Sequence, residues 1–416
     1  MAAADTVASL TRFAGRGAGT DAERRAARWL AGEIATPRRS ARVQTFWSRP
    51  NWAAAHAWHA LLALAGSLVA IPSPRAGAAI VLAALLCLLV DALTGISPGR
   101  RLSPQRASQN VISPPPDTER TARLIVTANY DAGRTGIAYH PLLRRPAAAG
   151  RRALGPLAAG WRAWLALDIT GLLIIALVRS GGNTGRPVAI VQLVLTVGLI
   201  LGLALLTELA VSPFGPAASD NASGVGVALA LVRALDVSPP RHLSVELVLT
   251  GAGAGTGLQR HLRAERPGPE TVVLGLAACG HGEPRFWIAD GSLLAARFSP
   301  GLIELAGESA AAIPGAGPHR GRGSSPALPA RRARLAAITL GALDARGLPP
   351  ASHLPQDTAD TVQAPAMDRV LALALGLVDA LDAELERDLG DEVAQRGDRP
   401  PEGPSAAAPA TVDGGA

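Results

Sequence analysis

The 416-residue chain contains no lysine, so its formal charge of +7 is carried by arginine alone. Aromatic residues make up only 3% of it, and the arginine pairs lie beside apolar runs. A nucleic-acid surface combines a basic patch with stacking rings, so nucleic acid is not expected as a partner. Only two cysteines occur, Cys87 inside an apolar run and Cys279 far from it. They support neither a disulfide framework nor a cysteine-based zinc site. The opening MAAADTVASL lacks both a basic start and an apolar core, and no signal peptide is read in it.

Apolar residues, at 48%, are ordinary in number but uneven in distribution. Residues 52–71 hold no charge, and Pro72-Ser-Pro-Arg75 breaks the run. Residues 76–93 carry only Asp91, residues 163–178 only Asp168, and residues 187–207 no charge at all. A bilayer core needs about 20 apolar residues per helix. A buried core helix is the plain alternative for each run, but their length and pairing predict four membrane spans in two hairpins. Trp52, Trp58, Trp161 and Trp164 lie where spans begin, as rings at headgroup level do. Because each hairpin crosses twice, all flanks share one side. Arg49, Arg100, Arg101, Arg106, Arg144, Arg145, Arg151, Arg152 and Arg162 fall there, against Arg75, Arg179 and Arg186 in the connecting loops. The positive-inside rule then expects an integral protein of the cell membrane with its soluble part cytoplasmic.

Outside the spans, helical and strand patterns alternate. Helices are expected over residues 20–34, 221–235, 258–264, 293–312 and 367–389. Strands are expected over 41–46, 109–113, 123–128, 242–250, 271–277 and 335–343. Such alternation predicts an α/β layered fold. One soluble domain, built from residues 1–50, 96–160 and 212–390, is thus interrupted by hairpins at 51–95 and 161–211. A Pro-, Gly- and Ala-rich tail over 391–416 is expected to be disordered.

The stretch Ser219-Asp-Asn-Ala-Ser-Gly224 admits two readings. Asp220 either holds a metal ion or starts the helix that follows, since Asp, Asn and Ser accept the unpaired N–H groups of a first turn. Its company in the chain is a strand ending Ala128-Asn-Tyr-Asp131, then Thr250-Gly-Ala-Gly-Ala254, Leu276-Ala-Ala-Cys-Gly280 and His353-Leu-Pro-Gln-Asp-Thr358. In that order these segments resemble the di-zinc exopeptidases, the family of bacterial leucyl aminopeptidases, glutamate carboxypeptidase, glutaminyl cyclases, transferrin receptor and nicastrin. The resemblance spans about residues 20–389 and implies a zinc-aminopeptidase-like mixed sheet flanked by helices, with the hairpins as insertions.

The resemblance also implies two zinc ions, held by the His of His-x-Asp, the Asp before Asn-Ala-Ser-Gly, the second Glu of Gly-Ala-Glu-Glu, the Asp of Leu-Asp-x-x-Gly and the His of His-Thr-Pro-x-Asp-Thr. The first Glu of the pair is the general base. Here the first His position holds Asn129, the Glu pair holds Gly253 and Ala254, and the third carboxylate position holds Ala277. Asp220 and His353 remain as vestigial metal ligands, and Asp131, which orients the first His in the family, adjoins an Asn. A catalytic zinc takes about three protein ligands, so no catalytic residue and no cofactor are expected. Cys279, His281 and Glu283 are ligand types in a loop without metal-site spacing, and His140 lies in a surface loop. Ser324 and Ser325 lack a G-x-S-x-G elbow.

The first functional reading is a membrane-anchored, catalytically inactive peptidase homologue that binds or scaffolds, with the bilayer and a peptide or protein as partners. The alternative is an active metallo-exopeptidase with one ion on Asp220, His353 and His281 or Cys279, in which case zinc is the cofactor. A third is a transporter-like role for Asp168 and Asp91.

Overall fold

The computed structural model describes residues 2–116, 120–155, 158, 160–253 and 255–397, with the side chains of the last helix described to Asp388. Alternation of apolar residues builds a nine-stranded sheet. Its strands are β1 (Arg42–Ser48), β2 (Arg106–Ser113), β3 (Ala122–Asn129), β4 (Leu243–Thr250), β5 (Thr271–Leu276), β6 (Glu283–Asp290), β7 (Ala296–Arg297), β8 (Gly317–Arg320) and β9 (Ala336–Leu343). The order across the sheet is β1-β2-β4-β3-β5-β9-β6-β7, with β8 beside β6. The centre is parallel, β4-β3-β5-β9, and antiparallel strands flank it at β2 and β6. Within β3 and β2, Leu124 and Val111 face one core while their neighbours Ile125 and Ile112 face the other. That period of two needs a helical layer on each side.

The first core packs the sheet against Ala3–Thr11, Asp21–Ile34, Ser223–Val237, Pro300–Ala311 and the helix Ala364–Gly397. Thr256–Glu265 and Leu328–Arg332 cover the opposite face through Leu258, Leu262 and Leu328. The α/β expectation is therefore met. Some local expectations are not. The helix expected from residue 293 starts at Pro300, because a proline at the first helical position fits there and the residues before it pair as β7 with β6. The last helix continues to Gly397, so residues 391–397 are helical rather than a disordered tail; the rest of that tail lies outside the described residues.

Among the described residues four helices are long and apolar enough to cross a membrane: Trp52–Val69, Pro74–Thr94, Trp161–Ser180 and Arg186–Val211. They pack as one bundle around Ala60, Ala63, Val81, Ala84, Leu88, Ile169, Leu172 and Leu199. Outward-facing side chains such as Leu61, Leu86, Ile174, Leu193, Val194 and Leu201 are about half exposed or more. Inside, Ser67 Oγ and Thr196 Oγ1 lie 2.8 Å apart, and the Gln192 amide donates to the Ser67 carbonyl at 2.7 Å. Both connecting loops meet at the end away from the sheet, where the Arg179 guanidinium donates to the Ala70 carbonyl. At the opposite end Asp91 accepts from Arg100 Nε at 2.7 Å and from the Ser97 hydroxyl, so it is ion-paired. Asp168 faces Gly198 of the adjoining helix.

Small residues let these helices approach closely. A Cβ on Gly77 would stand 2.5 Å from the Ala70 backbone, and backbone cannot yield as a flexible side chain can. We expect Gly77→Val to destabilise the bundle by about 1–3 kcal/mol, read as a lower thermal unfolding midpoint of the purified protein in detergent.

Candidate functional site

The end of β3 delivers Asn129 and Asp131, the end of β5 delivers Ala277, and the loop after β4 delivers Gly253. Ligand sites in open sheets form at such carboxyl ends of parallel strands. Asp220 sits in a π-helical turn, Ala218–Ala222, ahead of the helix Ser223–Val237. It does not cap that helix, whose N-cap position Ala222 receives no side-chain bond. The free N–H groups at the start of the π-helical turn are taken by Asp357. Its two oxygens accept from Ser219 N at 2.7 Å and Asp220 N at 3.1 Å.

His353 meets Asp220, with Nε2 3.5 Å from Oδ2. Its Nδ1 is 2.9 Å from the Arg134 carbonyl, an acceptor only, so Nδ1 carries the proton in that bond. The ring also stacks on Tyr139 with centroids 4.2 Å apart. A Cβ on Gly133 would fall 2.1 Å from His353 Cε1, so only glycine admits the ring there. His353 holds a left-handed backbone, φ 62°, a conformation that costs an ordinary residue about 1–2 kcal/mol. The hydrogen bond, the stack and the contact with Asp220 together keep it in place.

The remaining family positions contribute no donor beside this pair. Asn129 Oδ1 accepts from the Thr250 hydroxyl at 2.7 Å, Ala277 is aliphatic, and Gly253 has no side chain. Ala254 lies outside the described residues. Cys279 is buried, its thiol donating to the Ala277 carbonyl and its N–H to Ser223 Oγ. Burial pushes that thiol well above its ordinary pKa, so it offers no thiolate. His281 contacts Gln363, Glu283 contacts Arg369, and His140 caps the helix Pro141–Leu154. Ser325 is bonded to Thr339 inside the domain. Among the described residues no group of three His, Cys, Asp or Glu side chains could hold a metal ion. A two-zinc centre does not fit these residues.

Three residues essential to the site went unread in the sequence. Arg16 is buried and donates to the carbonyls of Tyr130 at 3.0 Å, Pro216 at 2.5 Å and Ala217 at 2.7 Å. It lies close enough to Asp131, Asp357 and Asp220 to feel their charge, and burial lowers its pKa to about 10. Glu23 accepts from the N–H groups of Gly19 and Ala252 and from the Ser108 hydroxyl. Burial, with Asp131 nearby, nevertheless raises its carboxyl to about 8. Asp357 is raised to about 6 by burial and by Asp220. The signal for Asp357 was present in His353-Leu-Pro-Gln-Asp-Thr358. Glu23 stands at capping-box spacing from Thr20, a pattern that ordinarily marks a surface helix start, and Arg16 sits in a glycine-flanked segment without any pattern.

In solved structures, similar chains are a leucine aminopeptidase precursor from Bacteroides thetaiotaomicron VPI-5482 (TM-score 0.51, 14% identity, 91% of this chain and 96% of that one), a Porphyromonas gingivalis glutaminyl cyclase (0.51, 14%, 92% and 97%), and BSAP, a zinc aminopeptidase from Bacillus subtilis (0.51, 13%, 90% and 93%). No family model and no curated protein matches the sequence. Identities this low establish the fold alone. That fold is the zinc-aminopeptidase and glutaminyl-cyclase type, as the motif order implied.

Asp131 yields a test of the site's electrostatics. Burial raises its carboxyl from 3.8 to about 7, and its Oδ1 has no hydrogen-bond partner. The folded chain thus holds a proton that the unfolded chain releases, so stability is lost as pH rises from about 4 to about 7. Asp131→Asn keeps an acceptor for the Gly253 N–H and cannot ionise. Its unfolding midpoint should fall less than the wild type's between about pH 5 and pH 8.

Proposed function

We propose that this chain is a membrane-anchored, aminopeptidase-like protein that no longer carries a catalytic zinc centre and serves as a binding or scaffold module for a peptide or protein. The observation that carries this reading is the donor count: of the family's ligand positions only Asp220 and His353 keep a ligand-type side chain in the described residues, and they face each other. Zinc that activates water takes about three protein ligands and an open position. Without the ion, water keeps a pKa near about 15.7 instead of about 7. Gly253 also leaves the general-base position empty of a carboxylate, a loss of about 10²–10⁴-fold in rate. Hydrolysis by the family mechanism is unsupported on both counts.

Anchoring is supported by the four apolar helices and their exposed aliphatic belt. Arginine density at the domain end of the bundle favours a cytoplasmic domain. A fluorescent protein fused to the C-terminus should therefore be bright, and alkaline phosphatase fused at the same point inactive; the opposite pattern reverses the sidedness.

Metal analysis tests the function itself. Purified protein supplied with zinc and then desalted is expected to retain well under one equivalent and to leave aminoacyl anilides uncleaved. The double variant Asn129→His with Ala277→Asp, which returns two donors, is expected to retain more. Stoichiometric zinc in the wild type, with turnover lost in Asp220→Ala, would reinstate a working exopeptidase.

A further inference from the structure

Beside Asp220 and Asn129 a cleft of about 750 Å³ opens along the carboxyl ends of β3, β5 and β9. Six arginines line it, drawn from four separate segments: Arg151 and Arg152 from the helix Pro141–Leu154, Arg285 from β6, Arg320 and Arg322 from β8 and the loop after it, and Arg346 from the loop after β9. Charge of one sign gathered from so many places must be balanced by something.

The cleft's carboxylates do not balance it. Asp290 is buried, and its oxygens accept the N–H groups of Gly291, Gly323 and Ser325 at 2.6–2.8 Å. Asp344 accepts from the N–H groups of Arg346 and Leu348, with the Arg346 guanidinium 3.9 Å away. Asp220 faces His353. The arginines meanwhile hold neutral partners. Arg322 donates to the carbonyls of Gly155 and Ala158, Arg285 to that of Gly315, and Arg152 to that of Ala345. The guanidinium groups of Arg151 and Arg320 make no hydrogen bond or ion pair among the described residues. At the centre, burial holds His319 down to about 4, and Arg285, Arg322 and Arg151 add to that effect against the opposing Asp290.

We propose that this cleft binds a phosphate-bearing anion, held by guanidinium forks that converge from the four segments. Planar guanidinium groups match phosphate oxygens two at a time, and the volume admits an organic phosphate rather than a bare ion alone. An aminoacyl or peptide ligand would bring an ammonium group, and two of the three carboxylates here are already spent on backbone N–H groups. The ligand has two possible sources. It is a soluble phosphate ester, or the headgroup of an anionic phospholipid, since Arg322 grips Gly155 and Ala158 just ahead of the helix Trp161–Ser180.

This gives the domain a small-anion ligand in addition to the peptide or protein partner proposed above, and rests on the reading of the domain as a binding module. Full-length protein in neutral detergent is titrated with pyrophosphate and tripolyphosphate, with chloride at matched ionic strength as control, and stabilisation is followed as a thermal shift. Saturable binding that weakens with salt is expected, at least tenfold weaker in Arg151→Gln and in Arg320→Gln, which orphan no carbonyl. Arg25→Gln, an exposed position of the helix Asp21–Ile34 outside the cleft, should bind as the wild type does, and the ligand-free unfolding midpoints of all three variants should match the wild type. In nanodiscs, competition by phosphatidylglycerol but not phosphatidylcholine assigns the lipid source, and its absence assigns the soluble one. No saturable response in either setting overturns the inference, as does equal binding by the Arg151 and Arg320 variants or tighter binding of an oligoglutamate peptide than of pyrophosphate. Zinc measured on the same preparation bears on the proposed function alone, so the two failures are distinguishable.

Discussion

Carboxylates gathered away from water have to be neutralised, and the heart of this domain is organised by how that is done. Glu23, Asp131, Asp220 and Asp357 are near enough to perturb one another. A divalent cation would be one solution. The chain's own groups supply another: Arg16 is buried beside Asp131, Asp357 and Asp220, and burial raises Glu23, Asp131 and Asp357 so that they hold protons well above the usual carboxylate range. The positions of Asp220 and His353 are therefore held by the chain's own groups. His353 keeps its strained backbone and its bond to Arg134, and Asp357 keeps the turn that presents Asp220.

Such a solution has a cost that differs from that of a metal centre. A bound ion ties ligand availability to stability, whereas proton-based neutralisation ties stability to pH. The arginine-lined cleft is the counterpart on the other side of Asp220. There the imbalance is positive, and the local carboxylates are consumed by backbone donors. The two sides of Asp220 thus carry opposite electrostatic character, divided by its contact with His353.

What could be read from residues alone follows physical lines. β3 and β4 were legible because strands buried on both faces are mostly apolar, with Glu246 of β4 paired to Arg123 of β3, and the membrane-length helices because each apolar run carries one carboxylate at most. Asp220 and His353 were legible through motif order. β6 was not, since Glu283-Pro284-Arg285 at its start suggests a loop; it forms because it pairs with β9 on one side and β8 on the other. Arg16 and Glu23 were invisible for a deeper reason. Their roles depend on partners far away in sequence, and no local periodicity encodes a partner.

The separation of Arg16 from its acceptors has a further consequence for biogenesis. Its bonds to Tyr130, Pro216 and Ala217 span 114, 200 and 201 residues, and both apolar hairpins lie within the longer intervals. During synthesis the amino-terminal segment leaves the ribosome first, yet two of the three carbonyls that will receive its guanidinium, those of Pro216 and Ala217, emerge only after the last apolar helix, Arg186–Val211, has been made. The domain consequently cannot close behind translation in the usual vectorial manner. Its earliest piece must wait until both apolar hairpins have been made, which ties completion of the Arg16 centre to the two segments that interrupt the domain.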